Sequence, residues 1–401
     1  MGRCFQIIGA GLGDESHLTL EAREAICGAG AVFATARLAD GLRSLRPDIA
    51  VQPIGRLAQA ARSASADPVA VLVSGDVGFF SAARRLREQL LPYGTVRLFC
   101  GQSSLQYFCA KIGSTYDDAI LASLHGRQGS LLGPVSYHGK VFALTGGEHT
   151  AQTICRELAD AGLGAIQVHL GENLGAPEEY IASADAQFFA QRTCADLAVL
   201  LIENAQAADC TQPVYDRDLL RGKVPMTKEE IRWVSVSKLG VHPADTVYDI
   251  GAGTGSVAFE LARRAHSGIV YAVERKPEAV ELLIQNRARL GGYNVKIVEA
   301  AAPQGLDALP APDAAFIGGS GGNLHEILCL LKHKNPAVRV VINAIALETL
   351  QEAMAAMGSL DFANVEIIQV AAARGNAVGK YTMMTANNPV FIISGGGKYG
   401  S

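Results

Sequence analysis

The stretch Val247-Tyr248-Asp249-Ile250-Gly251-Ala252-Gly253-Thr254-Gly255-Ser256, with Val273-Glu274 following so that Glu274 lies 19 residues after Gly255, decides the reading of this chain. It reads as a strand, a tight glycine turn and the start of a helix, with a carboxylate at the end of the next strand. Glycines let the backbone turn sharply and come close to a ligand, and a helix N-terminus offers unpaired N–H groups to an anionic group. The spacing G-x-G-x-G differs from the G-x-G-x-x-G of dinucleotide folds, whose longer gap admits a pyrophosphate. S-adenosylmethionine has no pyrophosphate. Its methionine carboxylate suits the glycine turn, and the Glu274 carboxylate suits both ribose hydroxyls. Asp249, Gly251, Gly253, Thr254, Gly255 and Glu274 are therefore the expected cofactor residues of this half. A bare glycine turn is also an ordinary strand-to-helix junction; Asp249 and Glu274 in register are what favour the cofactor.

At 401 residues the chain exceeds one ordinary core, and two to three domains are expected. With 49% apolar and 18% charged residues it has the composition of a compact, ordered protein. A net charge of -4 argues against a large phosphate-binding face, so no nucleic-acid partner is expected. No apolar run approaches the roughly 18 residues of a membrane span, and the sequence starts directly on a strand-like segment, so neither span nor signal peptide is expected. The eight cysteines are scattered, without C-x-x-C or a neighbouring histidine, so no metal site is expected and the thiols suit a reducing cytoplasm.

From residue 246 onward, strand and helix alternate. Candidate strands are Thr246 to Ile250, Ile269 to Glu274, Val295 to Glu299, Ala314 to Ile317, Arg339 to Asn343, Val365 to Val370 and Pro389 to Ile393. Pro277 to Leu290 is a helix with proline at its first position. Such alternation implies a mostly parallel sheet with ligands at the carboxyl ends of its strands. Upstream, Thr227 and Glu230 have the spacing of a capping box, Lys228 and Arg232 form a stripe on that helix, expected at the surface, and Asn204 to Lys223 shows no sustained period. The Gly395 to Ser401 tail is expected to be mobile.

The first half opens with Phe5-Gln6-Ile7-Ile8-Gly9-Ala10-Gly11-Leu12-Gly13-Asp14, but Ala31-Val32-Phe33-Ala34 ends in Thr35, so no carboxylate closes the next strand. Further glycine turns follow apolar strands at Ser74 to Ser81, Gly101 to Gln106 and Gly171 to Gly175. Each alone is an ordinary turn; together they suggest loops converging on one ligand.

These loops, in this order and with His125-Gly126-Arg127, resemble the tetrapyrrole methylases of the CbiE type. The second half, through Pro225 to Arg232, Asp249 to Ser256, Val273 to Lys276, Phe316 to Gly322 and Phe391 to Gly395, resembles the CbiT-type class I methyltransferases. Fused in this order they resemble the CobL family of precorrin-6Y C5,15-methyltransferases (decarboxylating). The resemblance implies an α/β protein: a two-lobed tetrapyrrole methylase fold over residues 1–206, a linker over 207–224, and a Rossmann-like class I domain over 225–401. It also implies one S-adenosylmethionine site per domain, a precorrin substrate, C-5 methylation by the first domain, and C-15 methylation with decarboxylation by the second. Self-association, as a tetramer through the second domain, is expected on the same ground.

By this resemblance Gly9, Gly75, Asp76, Gly78, Ser103 and Ser104 are cofactor residues of the first domain, and Thr227 and Ala302 join those of the second. Ala300-Ala301-Ala302 departs from the usual acidic pattern there, leaving backbone contacts only. Gly318, Gly319, Ser320, Gly321 and Gly322 form a side-chain-poor loop suited to a flat substrate. Asp76 either organises its own loop or faces the ligands. His125, Arg127, Arg374 and Lys380 are candidates to meet substrate carboxylates, since a guanidinium fork suits them. Two other readings stay open: a methyltransferase acting on RNA or protein, and a cofactor-sensing module without catalysis.

Overall fold

The strands expected from residue 246 onward form one seven-stranded sheet in the computed structural model, which describes residues 3–126 and 129–397. Its spatial order is Val295–Glu299, Ile269–Glu274, Thr246–Ile250, Ala314–Ile317, Arg339–Ala344, Val390–Gly395 and Glu366–Val370. The first five run parallel, and Val390–Gly395 lies antiparallel to both its neighbours. Chain direction across the sheet reverses at Thr246–Ile250. Helices leave that strand and its neighbour Ala314–Ile317 toward opposite sides, and a crevice opens at the carboxyl ends.

The strands are nearly continuous apolar runs because both faces are covered. Val247, Phe316 and Val341 pack on one face with the helices Glu229–Leu239 and Ser256–Arg264. Tyr248, Ile317 and Ile342 pack on the other with Leu324–Lys334 and Leu347–Ser359. Helix Pro277–Leu290 has the expected bounds, and Gly291 ends it in the left-handed region at φ 69°.

Three local expectations are corrected. The Thr227/Glu230 capping box does not form: Lys228 is the N-cap, without a side-chain bond, because the Glu230 carboxylate accepts from Arg374 Nε at 2.7 Å and Nη2 at 2.9 Å. Arg232 is not on a surface stripe. It is fully buried, donating to the carbonyls of Val214 (2.5 Å) and Thr227 (2.7 Å) and to Asp216 (3.1 Å). Gly395 closes the last strand, pairing with Val340, while residues 398–401 lie outside the described residues. The aperiodic segment before the helix is also tied down: the buried Val214 donates its N–H to Glu260 (2.8 Å), and Leu220 donates its N–H to Asn286 (2.7 Å).

The first half holds two five-stranded sheets. One orders Ala50–Val51, Ala31–Ala34, Val69–Val73, Arg3–Gly9 and Gly94–Phe99, all parallel. The other orders Ile120–Ser123, Lys140–Leu144, Ala198–Glu203, Gln167–Glu172 and Tyr180–Asp185, with both parallel and antiparallel pairs. The chain divides into two units, one mainly before Ile202 and one mainly from Glu203 on. Among the described residues, no helix is long and apolar enough to cross a membrane.

Candidate functional site

In the second unit a cavity of about 250 Å³ opens at the carboxyl ends of the strands, walled by Gly251 and Gly253, Glu274, Ala300 to Ala302, and Gly318 to Gly321. Gly251, Gly253 and Gly255 all have left-handed φ (76°, 56°, 81°), which explains the G-x-G-x-G spacing. A Cβ on Gly251 would stand 2.8 Å from the Gly319 carbonyl oxygen, so the turn and the Gly318 loop touch backbone to backbone. Glu274 Oε2 accepts the Gly253 N–H at 2.9 Å, and Oε1 accepts the N–H groups of Arg275 (2.8 Å) and Lys276 (3.0 Å). Two amides already share Oε1, so the remaining acceptor direction lies on Oε2.

Asp249 and Thr254 sit buried behind the wall. Among the described residues, neither Asp249 oxygen nor Thr254 Oγ1 has a hydrogen-bond partner of good geometry. Burial pushes the Asp249 carboxyl up to about 7; the Ala258 amide opposes this and the Glu274 charge adds to it.

In the first unit the glycines come from three different loops. A Cβ on Gly9 would lie 2.7 Å from both the Gly101 nitrogen and the Gly75 oxygen, so only bare backbone allows the loops to meet. Asp76 organises this junction: Oδ1 accepts the Gly78 N–H at 2.8 Å and Oδ2 the Gly101 N–H at 3.1 Å. Ser103 caps helix Ser104–Ile112, its Oγ accepting the Gln106 N–H (3.1 Å) while Gln106 Oε1 accepts the Ser103 N–H (2.9 Å). Beside these loops lies a cavity of about 390 Å³, with Gly75, Ser104, His125, Gly171 and Arg37 in its wall. His125 Nδ1 is 3.3 Å from the Thr145 carbonyl oxygen, and its ring fills the space a side chain at Gly146 would need.

Residues 5–187 match the Tetrapyrrole (Corrin/Porphyrin) Methylases and residues 218–395 the Precorrin methyltransferase domain. A probable cobalt-precorrin-6B C(15)-methyltransferase (decarboxylating) of Saccharolobus solfataricus is 38% identical over 186 residues, which is 45% of this chain and 92% of that protein. The cobalt-precorrin-6B C(15)-methyltransferase (decarboxylating) of Salmonella typhimurium is 38% identical over 181 residues, 45% of this chain and 93% of that one. This chain belongs to the decarboxylating precorrin methyltransferases. The crystal structure of a precorrin-6y C5,15-methyltransferase from Geobacter metallireducens is 36% identical and covers 46% of this chain and 95% of its own, with a TM-score of 0.43.

Within this precorrin methyltransferase, Gly251, Gly253, Glu274, Ala302, Gly318, Gly319, Ser320 and Gly321 share one wall, while Thr227, Asp249, Thr254, Gly255 and Gly322 lie off it. Gly75, Ser104 and His125 share the other, with Gly9, Asp76, Gly78 and Ser103 outside its lining. Arg374 is not a free carboxylate clamp: besides Glu230 it faces Glu229 at 3.1 Å and Asp216 at 3.6 Å. Lys380 is exposed, 5.3 Å from the Tyr381 ring centroid. Arg127 lies outside the described residues. Sequence reasoning missed Arg275, Lys276 and Asn323 in one wall and Arg37 in the other. For the three basic residues a signal was present, since each follows closely on the carboxyl end of a strand.

Proposed function

We propose that this enzyme is a bifunctional S-adenosylmethionine-dependent precorrin methyltransferase, methylating C-5 in the first domain and C-15 in the second, where it also decarboxylates the ring C acetate, whose carboxyl group leaves as carbon dioxide. The observation that carries this reading is that each unit has its own cavity on glycine loops, built in two different ways. The residues fit the cofactor. A side-chain-free cradle, a carboxylate in the wall and an unpaired buried carboxylate behind it suit a ligand with a cationic centre, an amino group and ribose hydroxyls.

When bound, the cofactor would supply an electrophilic methyl group to a nucleophilic carbon of the macrocycle, the electron pair of the broken carbon–sulfur bond staying on sulfur. The protein needs no strong base for this and contributes orientation and exclusion of water. Glu274 holds the turn and one hydroxyl. Gly318 to Gly321 let a flat ring lie close, and Arg275 and Lys276, in the same wall, meet its carboxylates. On decarboxylation the electron pair of the broken carbon–carbon bond passes into the conjugated ring, and a proton taken up from water at the side-chain carbon leaves a methyl group there.

Among the described residues the strands Ala373–Val378 and Tyr381–Ala386 pair only with each other, yet they expose Tyr381 (66%) and Met384 (68%). We propose it as the surface through which copies of the enzyme associate, as a tetramer. Tyr381→Glu with Met384→Glu then lowers the mass measured by sedimentation, and an unchanged mass refutes this. A cytoplasmic location fits the reading.

Titration calorimetry of the intact chain with S-adenosylhomocysteine is expected to show two sites. Mass and NMR analysis of the product is expected to show two methyl groups gained and one carbon dioxide lost. A single site, or label entering RNA and no precorrin, overturns the reading.

A further inference from the structure

Arg37 is the only charged side chain in the lining of the first unit's cavity among the described residues. It lies in the first turn of helix Ala36–Gly41, just past the carboxyl end of strand Ala31–Ala34. Two bonds fix its guanidinium: Nη1 donates to the Leu12 carbonyl at 2.9 Å and Nη2 to Ser74 Oγ at 2.6 Å. Gly13 leaves the room it needs, since a Cβ there would stand 2.9 Å from Nη1. No ion pair with a carboxylate is found for it among the described residues. Although the side chain is exposed, the protein around the guanidinium lowers its pKa and no acidic group offsets this. Of five N–H donors, two are used and three remain.

A cation held this firmly, without its own counter-charge, is prepared for an anion from outside. Beside serines such as Ser74 and Ser81, the same wall exposes the apolar Ile54 (56%), Phe80 (41%) and Leu197 (55%), whereas Val73 and Val199 are buried. Exposed apolar side chains beside one fixed guanidinium match a flat ring system carrying carboxylates at its edge. The cofactor's carboxylate has the same chemistry, and the cofactor affinity of an Arg37 variant distinguishes the two.

We propose that Arg37 receives a side-chain carboxylate of the tetrapyrrole substrate and positions its ring for methyl transfer in the first domain. This rests on the function proposed above and names a residue that binds its substrate.

The test uses the full chain, the precorrin substrate and cofactor with a ¹³C-labelled methyl group, with C-5 labelling followed by NMR. Arg37→Gln is expected to raise the KM for the tetrapyrrole about 10- to 100-fold, the loss of a charged hydrogen bond. S-adenosylhomocysteine affinity, measured by calorimetry, is expected to stay within about twofold of wild type on that same ground. Arg37→Lys recovers part of the KM because it keeps the charge, and Ser74→Ala, which loosens only the tether, gives a smaller rise. An unchanged KM overturns the proposal, as does a fall in kcat alone. Loss of cofactor affinity in parallel with KM also overturns it, because it assigns Arg37 to the methionine carboxylate. Should Arg37→Gln fail to fold, the lysine and Ser74 variants decide by the same criteria. Wild-type protein that places no label at C-5 refutes the underlying function instead, whatever the variants do.

Discussion

Replacing Asp249 by asparagine tests whether the buried carboxylate destabilises the ligand-free enzyme. Its folded pKa of about 7 lies above the ordinary 3.8, so the folded state holds a proton that the unfolded chain has lost between those values. Stability from this group is therefore complete below pH 3.8, falls as pH rises, and stops falling above pH 7. With about 1.4 kcal/mol per pKa unit, the cost of Asp249 is roughly 2 kcal/mol at pH 5 and roughly 4 kcal/mol at pH 8. Asparagine does not titrate. The variant should gain on wild type by about 2–3 kcal/mol between pH 5 and pH 8, and any fixed cost of the amide cancels in that difference. Trp233, the only tryptophan, lies in helix Glu229–Leu239, so its fluorescence during urea unfolding follows the second unit. A gap between variant and wild type that stays flat from pH 5 to pH 8 refutes the reasoning.

Glu274→Ala removes both the hydroxyl acceptor and the tie to the Gly253 amide, so calorimetry should show the second domain's cofactor Kd rising about 10- to 100-fold with the other site unchanged. Gly255→Ala puts a Cβ 2.5 Å from Leu283 and Phe259 at φ 81°, and Trp233-detected unfolding should show a loss of about 2 kcal/mol or more. Arg374→Ala breaks a partly exposed ion-pair cluster, so it should cost under about 1 kcal/mol and leave the KM for the precorrin unchanged. A raised KM would restore it as a substrate clamp.

The backbone of the second unit was legible because its signals are local and agree with one another. Apolar runs of strand length, proline at the head of Pro277–Leu290 and Gly291 at its end all point the same way. The charged residues were less legible, for a physical reason. Whether a guanidinium meets solvent, a ligand or a carboxylate depends on groups far away in sequence. Arg232 and Arg374 both converge on Asp216, a residue in a segment with no periodic pattern. Conversely, nothing near Arg37 in sequence marks it out, because what holds it against a cavity are the distant loops of Leu12 and Ser74. The capping spacing at Thr227 and Glu230 failed for the same reason, because an arginine 144 residues away binds that carboxylate bidentately.

The two glycine patterns solve different problems. In the second unit the glycines belong to one strand-to-helix turn, and each supplies a left-handed φ. In the first unit they belong to three loops, and the contact at Gly9 is a matter of close approach: two other backbones occupy the space a Cβ would need. Both arrangements nevertheless use a carboxylate as a backbone clasp. Asp76 gathers the amides of Gly78 and Gly101, and Glu274 those of Gly253, Arg275 and Lys276. A missing acidic residue after the first unit's second strand therefore does not mean that its pocket lacks such a clasp. The clasp has moved to the loop after Val69–Val73, and the position after the second strand is taken by the cation Arg37. After its second strand, one unit thus presents an acceptor and the other a donor.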